Sequence, residues 1–181
     1  MRPVLTACVR AAFGAVLLAC AVQSTGATGD ISPSGFIVTL HAETTASRGR
    51  VYEALVHPER WWNPRHTWSG ASANLSLAAE ASGCWCERWE GNSVEHGRVV
   101  FVRRGEVLRL NAALGPLQAL AVDAVLTFSL ADKEGRTLVD VSYRVSGNAS
   151  AGLDRLAAPV EGVLDEQLRR LVRVAEGGTP E

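Results

Sequence analysis

The stretch Ala151–Ala175, AGLDRLAAPVEGVLDEQLRRLVRVA, decides the fold. Its apolar positions Leu153, Leu156, Ala157, Val160, Val163, Leu164, Leu168, Leu171, Val172 and Ala175 recur in steps of three and four, which draws one apolar stripe along an α-helix. The charges Asp154, Glu161, Asp165, Glu166, Arg169, Arg170 and Arg173 fall mainly on the other face. Asp165 with Arg169, and Glu166 with Arg170, stand acid-before-base one turn apart, each pair worth a few tenths of a kcal/mol. Gly177-Gly178 ends the helix. Pro159 interrupts it, because an interior proline removes a hydrogen bond and clashes one turn back, at a cost of about 3 kcal/mol. The helix therefore kinks or briefly breaks there, or a short helix Ala151–Ala157 leads into the main one. A helix this one-sided needs a broad apolar surface to lie on.

Strands supply that surface. Val122–Leu130 and Thr137–Val145 form a hairpin across Asp132-Lys133-Glu134-Gly135. Val122, Ala124, Leu126, Phe128 and Leu130 share one face with Val139, Val141, Tyr143 and Val145, while Asp123, Thr127, Ser129, Asp140, Ser142 and Arg144 lie on the other. Such alternation describes an antiparallel sheet with one dry face and one wet face. Upstream, Phe36–Ala42 is a first strand, and Thr44-Thr45 offers an N-cap for a helix over Ala46–Val56. Pro58–Trp62 starts a second, short helix. Shorter strands follow at Asn74–Ala78, Cys84–Trp89, Ser93–Arg103 and Val107–Ala112. The order is strand, two helices, six strands, long helix.

The chain has 181 residues, of which 47% are hydrophobic and 20% charged, with a formal net charge of −1. This suits one domain with a full core and gives no electrostatic case for nucleic acid. Arg2 and Arg10 precede the apolar run Ala11–Ala19, which is too short to span a bilayer and is followed by small residues. Residues 1–20 are therefore expected to be a secretory signal, and the product periplasmic or at the cell surface. Leu17-Leu18-Ala19-Cys20 resembles a lipobox, in which Cys20 would be lipidated and tether the chain to a membrane. Cleavage after Ala21 or after Ala27 is the alternative. Residues 21–34 suit a flexible tether, 35–176 the domain and 177–181 a tail. Two cysteines then remain in the domain, Cys84 and Cys86. Three readings stay open for them: two small buried hydrophobes, a disulfide or redox pair, or a soft-metal site.

Several segments carry a resemblance. They are Val51-Tyr52-Glu53-Ala54-Leu55-Val56 before Pro58-Glu59-Arg60-Trp61-Trp62, then Ser82-Gly83-Cys84-Trp85-Cys86-Glu87 and Val94–Val100. Leu114-Gly115-Pro116-Leu117-Gln118-Ala119-Leu120, and Ala157-Ala158-Pro159-Val160 with Glu166-Gln167-Leu168, complete the set. With the element order, these resemble the START-like, helix-grip SRPBCC superfamily, which includes polyketide cyclases and the C-terminal domain of the Hsp90 ATPase activator. An exported bacterial branch is the nearest likeness, and it more often has two glycines where this chain has Ser82-Gly83. The resemblance implies an α+β fold in which a curved antiparallel sheet wraps around the long C-terminal helix. It also implies a cavity between sheet and helix for a small hydrophobic molecule or lipid. It implies no shared catalytic motif.

Three clusters can shape that cavity. Trp61, Trp62 and Trp68 with His66 read as aromatic core or as a wall whose indole N–H groups meet a polar head. Trp85, Glu87 and Trp89 share one face of their strand and His96 lies on the next, so Glu87 and His96 come out near one another across the turn at residues 90–92, in a register the sequence does not fix. If both point inward, the carboxylate–imidazole pair serves as a rim hydrogen bond or as general acid and base, and with His66 it makes in principle a metal set. An enzyme of the cyclase, dehydratase or hydrolase kind, using Glu87 with His96 or His66, is therefore the alternative to a binder. A protein-interaction module like the Hsp90 activator is a further one. The apolar loop 112–121, with Leu114 and Leu117, is a lid, a membrane contact or core. Ala158 and Gly162 fill little space on the helix, so the ligand is expected against that stretch. No glycine-rich phosphate loop, nucleophile elbow or HExxH pattern is present. No cofactor is expected, and no metal beyond the weak signals of Cys84 with Cys86 and of His66, His96 and Glu87.

Overall fold

The structure is a computed structural model and describes residues 24–180; the expected secretory signal over residues 1–20, with Cys20, lies outside the described residues. The chain runs β1 (Ser24–Ser32), β2 (Gly35–Thr44), α1 (Arg48–Leu55), short 3-10 turns between 58 and 74, β3 (Leu75–Leu77), β4 (Cys84–Trp89) and β5 (Asn92–Arg103). It continues through β6 (Val107–Asn111), a 3-10 turn Gly115–Leu120, β7 (Asp123–Lys133), β8 (Arg136–Ser146), further 3-10 turns and α2 (Ala157–Ala175). All eight strands join one antiparallel sheet in the order β1-β2-β8-β7-β6-β5-β4-β3. This is the α+β helix-grip fold.

The β7–β8 hairpin pairs Leu126 with Tyr143 and Phe128 with Val141, so the alternating apolar face is continuous, and β2 extends it by pairing Val38 with Tyr143 and Leu40 with Val141. All of these side chains are buried, and α2 lays Leu164, Leu168, Leu171 and Val172 over the same core. Burial of this stripe is what holds the helix down, at roughly 1.5–3 kcal/mol per large aliphatic side chain. Tyr143 brings a hydroxyl into that core and satisfies it, donating to Ala112 O at 2.7 Å and accepting from Leu114 N–H at 3.1 Å. Burial pushes its pKa well up, partly offset by the Leu114 bond, so it stays a neutral phenol.

Three expectations need correction and two readings left open, the break at Pro159 and the state of Cys84 and Cys86, are decided. Residues 24–32 are not tether: they form β1, paired with β2, and Ser24 and Thr28 hydrogen-bond Asp165 and Glu161 of α2. β1 lacks an apolar alternation because its partners are polar side chains of the helix. The terminal helix breaks before Pro159, with a 3-10 turn Leu153–Arg155 ahead of it, so proline sits in the first turn, where its missing N–H costs nothing. Ser47, not Thr44 or Thr45, caps α1, accepting from Arg50 N–H, while buried Thr44 donates to Glu176 at 2.7 Å. The segment after Pro58 is a single 3-10 turn, Pro58–Arg60, rather than a helix to Trp62. Cys84 and Cys86 are neither separate buried thiols nor metal ligands but a disulfide, with Cα atoms 5.4 Å apart, inside the range such a bond spans.

Candidate functional site

The N-terminal half of α2 does not pack against the sheet as its C-terminal half does. Between it and the 62–68 segment lies a cavity of about 350 Å³ with a mainly apolar wall. Leu156, Pro159, Val160, Val163 and Leu164 form the helix side; Trp62 and His66–Trp68 face them; Leu114–Pro116 close one edge; His96 reaches in from β5. Trp68, 56% exposed, stands at the mouth.

Three side chains of α2 staple the 61–66 segment in place. Arg170 donates to Trp61 O at 2.7 Å, Gln167 accepts from Asn63 N–H at 2.8 Å, and Glu166 accepts from the Asn63 side chain. Glu166 also bonds His66 Nε2 at 3.1 Å. Glu166 and Arg170 thus each find a partner off the helix, which corrects the one-turn ion pair read from their spacing; Asp165 and Arg169 do pair, at 2.5 Å. Burial raises the Glu166 pKa, but the bonds from Asn63 and His66 and the charges of His66 and Arg170 outweigh it and hold the carboxyl below its ordinary value.

A second carboxylate–imidazole pair lies deeper. His96 Nε2 is 2.8 Å from Glu87 Oε2, with His96 6% and Glu87 0% exposed. The backbone N–H groups of Trp68 and Ser69 also donate to Glu87. Burial pushes the Glu87 carboxyl up, but the bonds from Ser69, Trp68 and His96 together overcome this and hold it below its usual value. Strand register explains how the pair forms. Glu95 pairs with Cys86 and Gly97 with Trp85, so His96 is the extra residue of a β-bulge and is re-aimed to the inner face. Gly97 permits the bulge, because a Cβ there would stand 2.7 Å from Ala112 Cβ and 2.9 Å from Asn111 O. Trp61, Trp62 and Trp85 then stack edge to face in a row, with centroids 5.4 and 4.9 Å apart, and the His96 ring lies tilted against Trp85 at 5.7 Å.

Of the residues singled out by sequence, Trp62, His66, His96 and Leu114 line the cavity. Trp61, Trp85, Glu87 and Leu117 are buried behind it. Leu117 belongs to the core because its 3-10 turn folds inward, and Gln118 pins that turn by donating to Glu95 O at 2.8 Å. The 112–121 loop is therefore core at Leu117 and cavity edge at Leu114–Pro116. Ala158 and Gly162 are exposed on the outer side of α2, because each stands one position, about 100° of helical turn, from the lining residues Pro159 and Val163. Sequence reasoning missed Glu166, which looked like a solvated helix charge; its partners lie about a hundred positions away. Among the described residues, no three metal-ligating side chains gather at one point, and no helix is long and apolar enough to cross a membrane.

Compared with known proteins, the chain matches no family model and no curated protein. Solved structures do match. A conserved protein of unknown function from Enterococcus faecalis aligns at 13% identity over 88% of this chain and 79% of that one, with a TM-score of 0.56. CalU16 from Micromonospora echinospora aligns at 13% identity over 87% and 85%, with a TM-score of 0.56. The Aha1 dimer from Colwellia psychrerythraea aligns at 14% identity over 78% and 98%, with a TM-score of 0.53. At such identities the likeness is one of architecture: the chain is similar to these proteins as a helix-grip fold.

Proposed function

We propose that this chain is an exported member of the SRPBCC superfamily that binds a small hydrophobic molecule or lipid in the cavity at the N-terminal end of α2. The observation that carries the reading is the cavity itself, about 350 Å³ with an apolar wall and two imidazoles. Its size falls in the range of small-molecule sites, and a few convergent polar groups on an apolar lining are the usual composition. A test is binding of N-phenylnaphthylamine, followed by fluorescence and competed with fatty acids. Val163→Trp should fill the space and weaken binding at least tenfold while leaving the melting temperature near that of the parent. Equal binding by the variant would overturn the assignment.

The leader and Cys20 support export and lipidation, and β1 narrows the processing site. Cleavage after Ala27 would remove Ser24–Ala27, which pair with Thr39–Ala42. Lipidation at Cys20 and cleavage after Ala21 both leave the strand whole, and lipidation also sets the domain close to the membrane. Intact mass of the mature protein tests this: a diacylglyceryl adduct that disappears in Cys20→Ala is expected, and an unmodified chain beginning at Val22 or Thr28 would contradict it.

A further inference from the structure

We propose that the cavity performs a proton transfer on a hydrophobic carbonyl compound, with His96 and His66 as its two acid–base groups. This rests on the cavity being a site for an apolar small molecule. Within the apolar wall stand two imidazoles, and each is held from behind by its own carboxylate. Glu87 is fixed by the Trp68 and Ser69 N–H groups and Glu166 by Asn63, so both carboxylates hold their places without the histidines. Each imidazole is engaged through Nε2, and among the described residues neither Nδ1 has a partner. A carboxylate behind an imidazole sets its tautomer and stabilises the imidazolium. A purely structural role accounts poorly for the deeper pair, since apolar residues of similar volume usually serve stability as well as a buried ion pair does. It also gives no reason for two such pairs to open on one cavity.

The two histidines differ in a way that divides the labour. His96 is buried against Trp85, whereas the His66 side chain is a third exposed and can exchange protons with water. Neutral His96 takes the proton from the carbon beside the carbonyl, and the C–H electron pair becomes the C=C bond of an enol. The carbonyl π pair moves to oxygen, which takes the proton from His66 imidazolium. The product is an enol with His96 protonated and His66 neutral; return of a proton to carbon gives the exchanged or isomerised ketone. No oxidant or further reactant is needed. His96 and His66 are the catalytic residues; Glu87 and Glu166 position them.

The test uses β-tetralone as probe, with α-hydrogen exchange in deuterium oxide followed by proton NMR and its binding by displacement of N-phenylnaphthylamine. Exchange by the wild-type protein should exceed that in matched buffer by about 10²-fold. His96→Gln should bring it to the buffer rate, and free imidazole should restore exchange in His96→Gly, which a structural role would not produce. His66→Gln, a partly exposed change that does not threaten folding, should slow exchange while leaving displacement intact. Displacement with exchange at the buffer rate in wild type would overturn the proton-transfer proposal and leave the binding reading standing. Neither displacement nor exchange would overturn both.

Discussion

The two halves of α2 meet different surroundings. From Leu164 to Ala175 its stripe is covered by β2, α1 and the apolar face of the sheet, and Leu168, Leu171 and Val172 are at most 1% exposed. From Leu156 to Val163 the same stripe, apart from the buried Ala157, faces open space, two histidines and a 3-10 segment held by hydrogen bonds. One half is a core and the other the wall of a site. The difference comes from the partner: strands present a regular apolar face, whereas the 61–69 segment offers indoles, backbone amides and imidazoles. Binding capacity arises where the fold stops filling its own helix.

Substitutions along the helix should separate the halves most sharply. Leu168→Ala is expected to cost about 2–5 kcal/mol, because it opens a void in a packed core. Val163→Ala should cost under about 1 kcal/mol, since it enlarges a space already present. Thermal or denaturant unfolding reads both, and equal costs would break the comparison. Glu87→Gln comes next, at about 1–3 kcal/mol, because it weakens the buried bonds from Ser69, Trp68 and His96. Its pH dependence has a definite sign. The folded-state pKa lies below the ordinary carboxylate value, so the contribution is present above that value and is lost as pH falls through the folded one. Unfolding followed from neutral to acid pH should therefore show a shallower loss of stability in Glu87→Gln than in wild type.

The core half was legible in the sequence and the site only in part, for physical reasons. Alternation over β7 and β8 and the three–four spacing of α2 are local signals, written in consecutive residues. The proximity of Glu87 and His96 was also readable, since a tight turn joins their strands, but the bulge that aims His96 inward depends on Gly97 meeting Ala112 on another strand. Glu166 with His66 and Asn63, and β1 with Asp165 and Glu161, are contacts more than a hundred or so positions apart with no local mark. Ser82 shows a smaller trace. It occupies the left-handed region at φ 66°, a conformation that favours glycine. Ser82→Gly should change stability least of all, a gain of about 0.5 kcal/mol as relief of the left-handed strain exceeds the added chain entropy. A loss measured by the same unfolding assay would contradict that balance.

The most direct test of the central claim follows the five indole N–H signals and the imidazole signals by NMR while N-phenylnaphthylamine is added. Trp62, Trp68, His66 and His96 line the cavity and should move together with saturation, while Trp89, at the end of β4 and outside the lining, should stay in place. Movement confined to Trp89, or none at any of the four cavity residues, would contradict the account.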